Sequence, residues 1–407
     1  MSVETNIPNI GGAVEPGFEG VRDVFAQNFE EHGEIGAGYS LYVDGKKVVD
    51  IWGGTADVKT GAPYTDDSLQ LVFSTTKGAT AACANLLAQR GELDIDAPVA
   101  KYWPEFAQAG KEEIPVRWLL CHKAGLPAFD ATLTPDDVFA WDPVIHALEV
   151  QEPFWEPGTA HGYHAVTYGY LVGEVVRRIS GKSLGTFWQE EIAEPLGIEF
   201  WIGLPAEQEH RVAPLVGTGR TTGDLDDETA QFAAAVMGPD TLVGRAMTLN
   251  GALGFLDDGF NTPALHAAEM PAANGITNAR SLARFYAALV GTVDGGPSES
   301  LLTVEQMEAA RTCQTEGADR VLSFPGIELP TTIGLGFWTS SLFAPYGGER
   351  GFGHSGAGGS VGFVDPEAGI AGGYVMNRMM QGLAGDPRSR GLIKASYDAV
   401  GAPIAFV

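Results

Sequence analysis

A serine and a lysine three residues apart, Ser74 and Lys77 in Ser-Thr-Thr-Lys, follow the apolar run Leu71-Val72-Phe73. At a helix start that spacing puts the hydroxyl and the amine on one face. A serine is a weak nucleophile at its own pKa and needs a base beside it. A lysine serves as that base when burial and neighbouring positive charge lower its pKa. The helix N-terminus adds N–H groups and positive partial charge for a developing oxyanion. The same spacing also arises by chance in long chains, so it needs company.

Two further places supply it. Tyr163 lies in Glu156-Pro-Gly-Thr-Ala-His-Gly-Tyr-His-Ala165. Pro157 and Gly158 predict a loop-to-helix junction there, from which a side chain can project into a cleft. Gly353-His-Ser-Gly-Ala-Gly-Gly359 lies between two strand-like runs, and its glycines predict a strand whose backbone approaches a ligand closely. Two literal motifs in that stretch are decoys. Gly351-x-Gly353-x-x-Gly356 lacks the βαβ unit and the following acid of a dinucleotide site. Gly353-x-Ser355-x-Ala357 lacks the last glycine of a nucleophile elbow and has no helix after its serine. His161 and His164 have no third ligand at a recognisable spacing, so no metal site is expected. Cys121 reads as buried, His122 as structural or as a support behind the residues of the site, and Asp94 and Asp96 as a solvated loop. Trp155, Trp201 and Trp338 are either pocket aromatics or core, with core the default.

These groups must be held by elements that the pattern outlines. AGYSLYVDGKKVVDIWGG predicts a hairpin turning at Asp44-Gly45, because a type I′ turn needs positive φ at both central residues. Val21, Val24, Phe25 and Phe29 recur at helical spacing upstream of it. Thr76 to Arg90 reads as a helix with Ala79, Ala82, Cys83, Leu86 and Leu87 on its apolar side and Gly91 ending it. Thr167 to Ile179 reads as another. Arg280 to Val290 follows, with Leu282, Phe285, Tyr286 and Leu289 on one face and Thr277 as its candidate cap. Thr303-Val-Glu-Gln306 predicts a capping box. Beyond about residue 333 the chain turns to strand-like runs, GLGFWTSSLF, GSVGFVD and GIAGGYVMN, before a last helix over roughly Ser389 to Val400. Strands at both ends with helices between predict an α+β sheet completed by the two halves of the chain.

Composition narrows the function classes. The 407 residues are 44% hydrophobic and 19% charged, which is globular rather than disordered. With 25 Lys plus Arg against 52 Asp plus Glu, the formal charge is −27, which repels phosphate backbones and anionic membranes. No nucleic-acid or membrane partner is expected. Cys83, Cys121 and Cys313 are too few and scattered for a disulfide framework. MSVETNIPNI lacks the features of a signal peptide, and no apolar run reaches membrane-spanning length. A cytoplasmic protein is expected.

In order along the chain, Ser74-x-x-Lys77, Tyr163 and His354-Ser355-Gly356 resemble the S-x-x-K, Y-x-N and K-T-G motifs of the serine β-lactamase and penicillin-binding superfamily. LLCHKAGLP (119–127), PGTAHGYHAVTYGYLVGEVVRRISG (157–181) and FGHSGAGGSVGFVDPEAGIAGGYVMN (352–377) are similar to the β-lactamase-fold, or family VIII, carboxylesterases. The resemblance implies one β-lactamase-like α+β domain over 12–403, a mainly antiparallel sheet flanked by helices plus a helical region. Its α/β part would be 12–78 and 275–403, and its helical part 79–274. It implies Ser74 as the acylated nucleophile, Lys77 as the partner that deprotonates it and Tyr163 as a proton shuttle, with the base either of the last two. The N–H groups of Ser74 and Ala357 would form the oxyanion hole, with His354, Ser355 and Gly356 lining the substrate site. His354 replaces the usual lysine and Ala165 the usual asparagine, departures compatible with a small-molecule ester substrate. No cofactor is implied. A β-lactamase or D-amino-acid peptidase, an acyltransferase and a catalytically silent scaffold are the alternatives.

Overall fold

The alternating run around Asp44-Gly45 folds as the expected hairpin. In this computed structural model, which describes residues 9–217, 238–254, 258–324 and 326–407, it comprises β2 (Gly36–Val43) and β3 (Lys46–Asp57). Asp44 and Gly45 take φ of 47° and 77°, as a type I′ turn demands. The first eight residues, on which the leader reading rests in part, lie outside the described residues. So do 218–237 and 255–257 of the expected helical span.

β1 (Gly11–Val14) pairs with β3, and the two-residue β4 (Ala62–Pro63) pairs further along it. The other half of the sheet comes from the far end of the chain: β8 (Trp338–Thr339), β9 (Phe352–Ser355), β10 (Val361–Asp365) and β11 (Ile370–Met376). β11 joins β2, giving the antiparallel order β1-β3-β2-β11-β10-β9-β8. The expected strand GLGFWTSSLF shrinks to Trp338–Thr339. Gly336, at φ 90°, turns the chain before it, and the Ser341 N–H bonded to the Ala344 carbonyl turns it again afterwards.

Side-chain alternation on β2 shows a helical layer on each face. Gly38 faces Ala279, whereas the next residue, Tyr39, bonds through its hydroxyl to Ser396. The first layer is the helix Ala279–Val290, whose Leu282, Phe285, Tyr286 and Leu289 are all buried as expected. Its cap is Asn278, which accepts the Ser281 N–H at 2.9 Å. Thr277 is instead a strand residue whose hydroxyl donates to the Glu199 carbonyl. The second layer is α1 (Glu19–Glu31) against the helix Pro387–Val400.

α2 (Thr76–Gln89) runs through the interior and ends at Gly91 with φ 74°. Every residue from Thr76 to Leu87 is buried, Lys77, Thr80 and Asn85 included. The one-sided apolar pattern understated this, because small alanines let neighbours close in all round. Thr303 caps Val304–Arg311 through the Gln306 N–H, but the reciprocal half of the box does not form. Gln306 donates to Asn85 on α2, and the Thr303 N–H to Gln89. A second sheet, unforeseen, sets β5 (Gln70–Leu71) and β6 (Phe200–Trp201) on either side of β7 (Ile276–Thr277). Among the described residues, no helix is long and apolar enough to cross a membrane.

Candidate active site

Ser74 sits not in α2 but in the 3₁₀ turn Phe73–Thr75 just before it. Phe73 has φ 46°, a conformation non-glycine residues hold only when their surroundings over-determine it. The surroundings do so. The Val72 N–H donates to the Gly275 carbonyl at 2.9 Å, and the Thr76 hydroxyl donates to Phe73 O and accepts the Gly275 N–H. Ser74 alone in this turn keeps partial exposure.

Lys77 is fully buried, and its Nζ lies 3.1 Å from Ser74 Oγ, 2.6 Å from Ala165 O and 3.0 Å from Ala272 O. Burial holds its pKa well below the lysine range. The neighbouring positive charge expected to help is not the cause. A neutral amine has two N–H groups and one lone pair, so the two carbonyls can take the hydrogens and leave the lone pair facing the serine. Ala165 thus acts through its main chain. Ala272 is held by Asn274, whose amide donates to Leu265 O and Ala268 O and accepts from Met270 N–H. Thr80 bonds the adjacent Pro271 carbonyl. Neither Asn274 nor Thr80 stands in any motif.

Tyr163 lies in the loop that precedes the helix Thr167–Ser180, as the proline and glycine predict. Lys77 Nζ is 4.7 Å from its ring centre. Burial pushes its hydroxyl pKa up, while the adjacent Ser74 draws it the other way without a well-formed hydrogen bond. The phenol is therefore neutral and poised beside the serine. His122 brackets it: its carbonyl takes the Gly162 N–H, its Nδ1 takes the His164 N–H, and its ring lies 5.3 Å from the tyrosine ring. His164 accepts the Leu126 N–H at Nε2 and donates from Nδ1 to Gly162 O. Both of its nitrogens are committed, and burial pushes its pKa down to about 4. Asp319, unmarked in the sequence, accepts the Tyr163 N–H at 3.0 Å.

The glycine-rich loop after β9 reaches the same place. A Cβ on Gly356 would meet Val72 O at 2.2 Å and Ser360 Oγ at 2.3 Å, so only glycine lets the loop close on the serine turn. Ser360 Oγ fastens it, donating to Val72 O at 2.9 Å and meeting Thr75 Oγ1 at 3.0 Å. Ala357 follows, nearly covered. Neither its N–H nor that of Ser74 donates to a protein acceptor among the described residues. His354 is wholly buried, its ring stacked 4.5 Å from Trp338 and 6.3 Å from Tyr163. Its Nδ1 donates to Ser355 O at 2.7 Å, leaving Nε2 as a bare acceptor, and burial with Lys77 nearby holds the pKa well below the histidine range. Ser355 shares a 3.3 Å hydrogen bond with the Tyr346 hydroxyl. Trp338 and Trp155 are buried and Trp201 is half-buried.

The Beta-lactamase family model matches residues 21–394. "Esterase/beta-lactamase LipL" of Mycobacterium tuberculosis is 35% identical over 386 residues, covering 91% of this chain and 84% of LipL. The crystal structure of a family VIII carboxylesterase superposes with a TM-score of 0.84 at 37% identity, covering 96% of this chain and 100% of that one. A penicillin-binding protein homologue from Caulobacter crescentus gives 0.82 at 38%, with the same coverage. With a match over nearly its whole length, the chain belongs to the beta-lactamase family and is a hydrolase of the serine β-lactamase superfamily.

Proposed function

We propose that this protein is a carboxylesterase that hydrolyses small-molecule esters through an acyl-enzyme on Ser74. Lys77, whose pKa burial holds well below the lysine range, in its neutral form takes the Ser74 proton as the oxygen attacks the ester carbonyl. The oxyanion is received by the N–H groups of Ser74 and Ala357. Tyr163, neutral and adjacent, hands a proton to the departing alkoxide and is reprotonated from Lys77. Water then attacks the acyl-serine, giving its proton to the same pair and releasing the acid. Every step uses groups of this chain and water.

The observation that carries the choice of ester over β-lactam is His354. Its Nδ1–H is spent on Ser355 O and its ring is uncharged, so it offers a substrate carboxylate neither charge nor hydrogen. Ala165 offers no side-chain amide. Losing a hydrogen bond to a charged group costs about 1.5–3 kcal/mol, roughly ten- to a hundredfold in rate. An ester with a good leaving group needs neither contact. Likeness to LipL and to the penicillin-binding protein homologue favours β-lactam cleavage as the second reading. A series of p-nitrophenyl esters of increasing acyl length, run beside nitrocefin, separates the two. Short-chain esters should exceed nitrocefin in kcat/KM by at least about tenfold, and comparable values would promote the β-lactamase reading.

A further inference from the structure

Behind the loop that carries Ala357 lies a guanidinium with no exposure at all. Arg388, in the first turn of the helix Pro387–Val400, spends all five of its N–H donors on protein acceptors. Nε and Nη2 fork onto Asp386 at 3.0 and 2.8 Å. Nη1 reaches Glu34 Oε1 and Arg378 O, each at 3.0 Å. The second Nη2 hydrogen goes to the Gly358 carbonyl at 2.7 Å. That last contact is unlike the others, because Gly358 lies in the loop next to Ala357. The loop rests directly on the ion pair: a Cβ on Gly359 would stand 2.5 Å from Arg388 Nη2 and 2.6 Å from Asp386 Oδ2.

The loop is thus gripped from two sides. On the serine side, Ser360 ties it to Thr75 and Val72. On the far side, Arg388, with help from the Met380 N–H, fixes the Gly358 carbonyl. The Gly359 N–H, in the same rigid plane as the Gly358 carbonyl, donates to Gly356 O at 3.2 Å, and Gly356 O shares its plane with the Ala357 N–H, so anchoring the Gly358 carbonyl limits how the Ala357 N–H can turn. We propose that Arg388 is a positioning residue that aims the Ala357 N–H at the reacting carbonyl by holding Gly358. The inference rests on the esterase reading above, in which that N–H receives the oxyanion. A lysine cannot replace the guanidinium, because it lacks the planar fork that serves Asp386 and Gly358 together.

The test compares the parent with Arg388→Lys, counting active sites by fluorophosphonate labelling of Ser74. If positioning is the role, kcat per labelled site falls by about tenfold or more, since small misplacements at a reacting centre are amplified. KM for p-nitrophenyl butyrate should move less than about threefold, and butylboronic acid, which forms a tetrahedral adduct, should bind more weakly by the factor lost in kcat. A merely structural arginine would lower the unfolding temperature and leave kcat per site and boronate affinity within about threefold of the parent, which overturns the proposal. Should Arg388→Lys not fold, Asp386→Asn keeps the helix cap while loosening the fork. It must then lower kcat and boronate affinity together, and unchanged values of both overturn the proposal equally. Failure of the parent to label at Ser74 or to turn over esters would sink the esterase reading instead.

Discussion

Replacing Asp319 separates two substitutions that look alike. Its side chain is fully buried and receives four hydrogens: Oδ1 from the N–H groups of Tyr163, Val321 and Leu322 at 3.0, 2.9 and 2.9 Å, and Oδ2 from the Thr331 hydroxyl at 2.9 Å. Asp319→Ala orphans the three N–H donors, at about 1–3 kcal/mol each, or roughly 3–9 kcal/mol together, while the Thr331 hydroxyl turns to His161. That is most of the stability of an ordinary domain, about 5–15 kcal/mol. Asp319→Asn keeps the three N–H contacts on Oδ1 and loses charge assistance worth about 1 kcal/mol apiece. Its amide then donates to the Thr331 oxygen, so the Thr331 proton must turn elsewhere. In the parent that proton goes to Asp319, and His161 Nε2 therefore donates to Thr331 at 3.0 Å while Nδ1 has no partner. In the variant Thr331 donates to His161 Nε2 and the ring proton moves to Nδ1. Urea unfolding should place Asn about 2–4 kcal/mol below the parent and Ala at or beyond loss of folding. Nitrogen-15 spectra of His161 should report the tautomer switch. Because His122 still holds Gly162 and His164, kcat for Asn should fall less than about tenfold. Equal stabilities for Ala and Asn, or an unchanged His161 tautomer, would refute the reasoning.

Fluorophosphonate treatment followed by intact-mass analysis should give one adduct, on Ser74, absent in Ser74→Ala; labelling at Ser355 would revive the nucleophile-elbow assignment. The pH profile of kcat/KM should show an acid limb that belongs to Lys77: its folded pKa is lowered, so activity requires the neutral amine and falls as pH drops through that value. Between the folded pKa and the usual lysine value the unfolded chain binds one proton more, so the Lys77 contribution makes stability rise with pH across that window and fall as pH is lowered through it. His354→Asn should leave the limb in place, and a limb that disappears in that variant would assign the titration to the imidazole.

Much of the site could be read from residue types, because a nucleophile, its base and a glycine-rich strand each announce themselves locally. Tyr163 was placed at a loop-to-helix junction by Pro157 and Gly158 alone. The supports were silent for a physical reason. Asp319, Ser360 and Arg388 act on main-chain atoms far away in the chain, Asn274 on those of its own irregular loop, and nothing about a lone aspartate or asparagine foretells which N–H or carbonyl it will meet. Asn278 outcompeted Thr277 as a cap because β7 had already claimed the threonine hydroxyl for the Glu199 carbonyl. The run GLGFWTSSLF had strand composition throughout, but strand length is decided by available partners, and of that run β9 pairs with Trp338 and Thr339 alone.

The pairing of β2 with β11 sets the schedule on which this protein can be made. Val43 and Ile370 are register partners although most of the chain lies between them. A ribosome adding about 5–20 residues per second therefore releases β2 on the order of tens of seconds before its neighbour exists. During that interval the hairpin of β2 and β3 can form, but its inner edge, rich in residues destined for burial such as Tyr39 and Leu41, has nothing to pair with. An open apolar edge is a template for other chains. The nascent protein thus passes through a stage in which crowding on a polysome favours intermolecular β-pairing, and a chaperone that shields the first hairpin should raise the yield of active enzyme more than one acting after release.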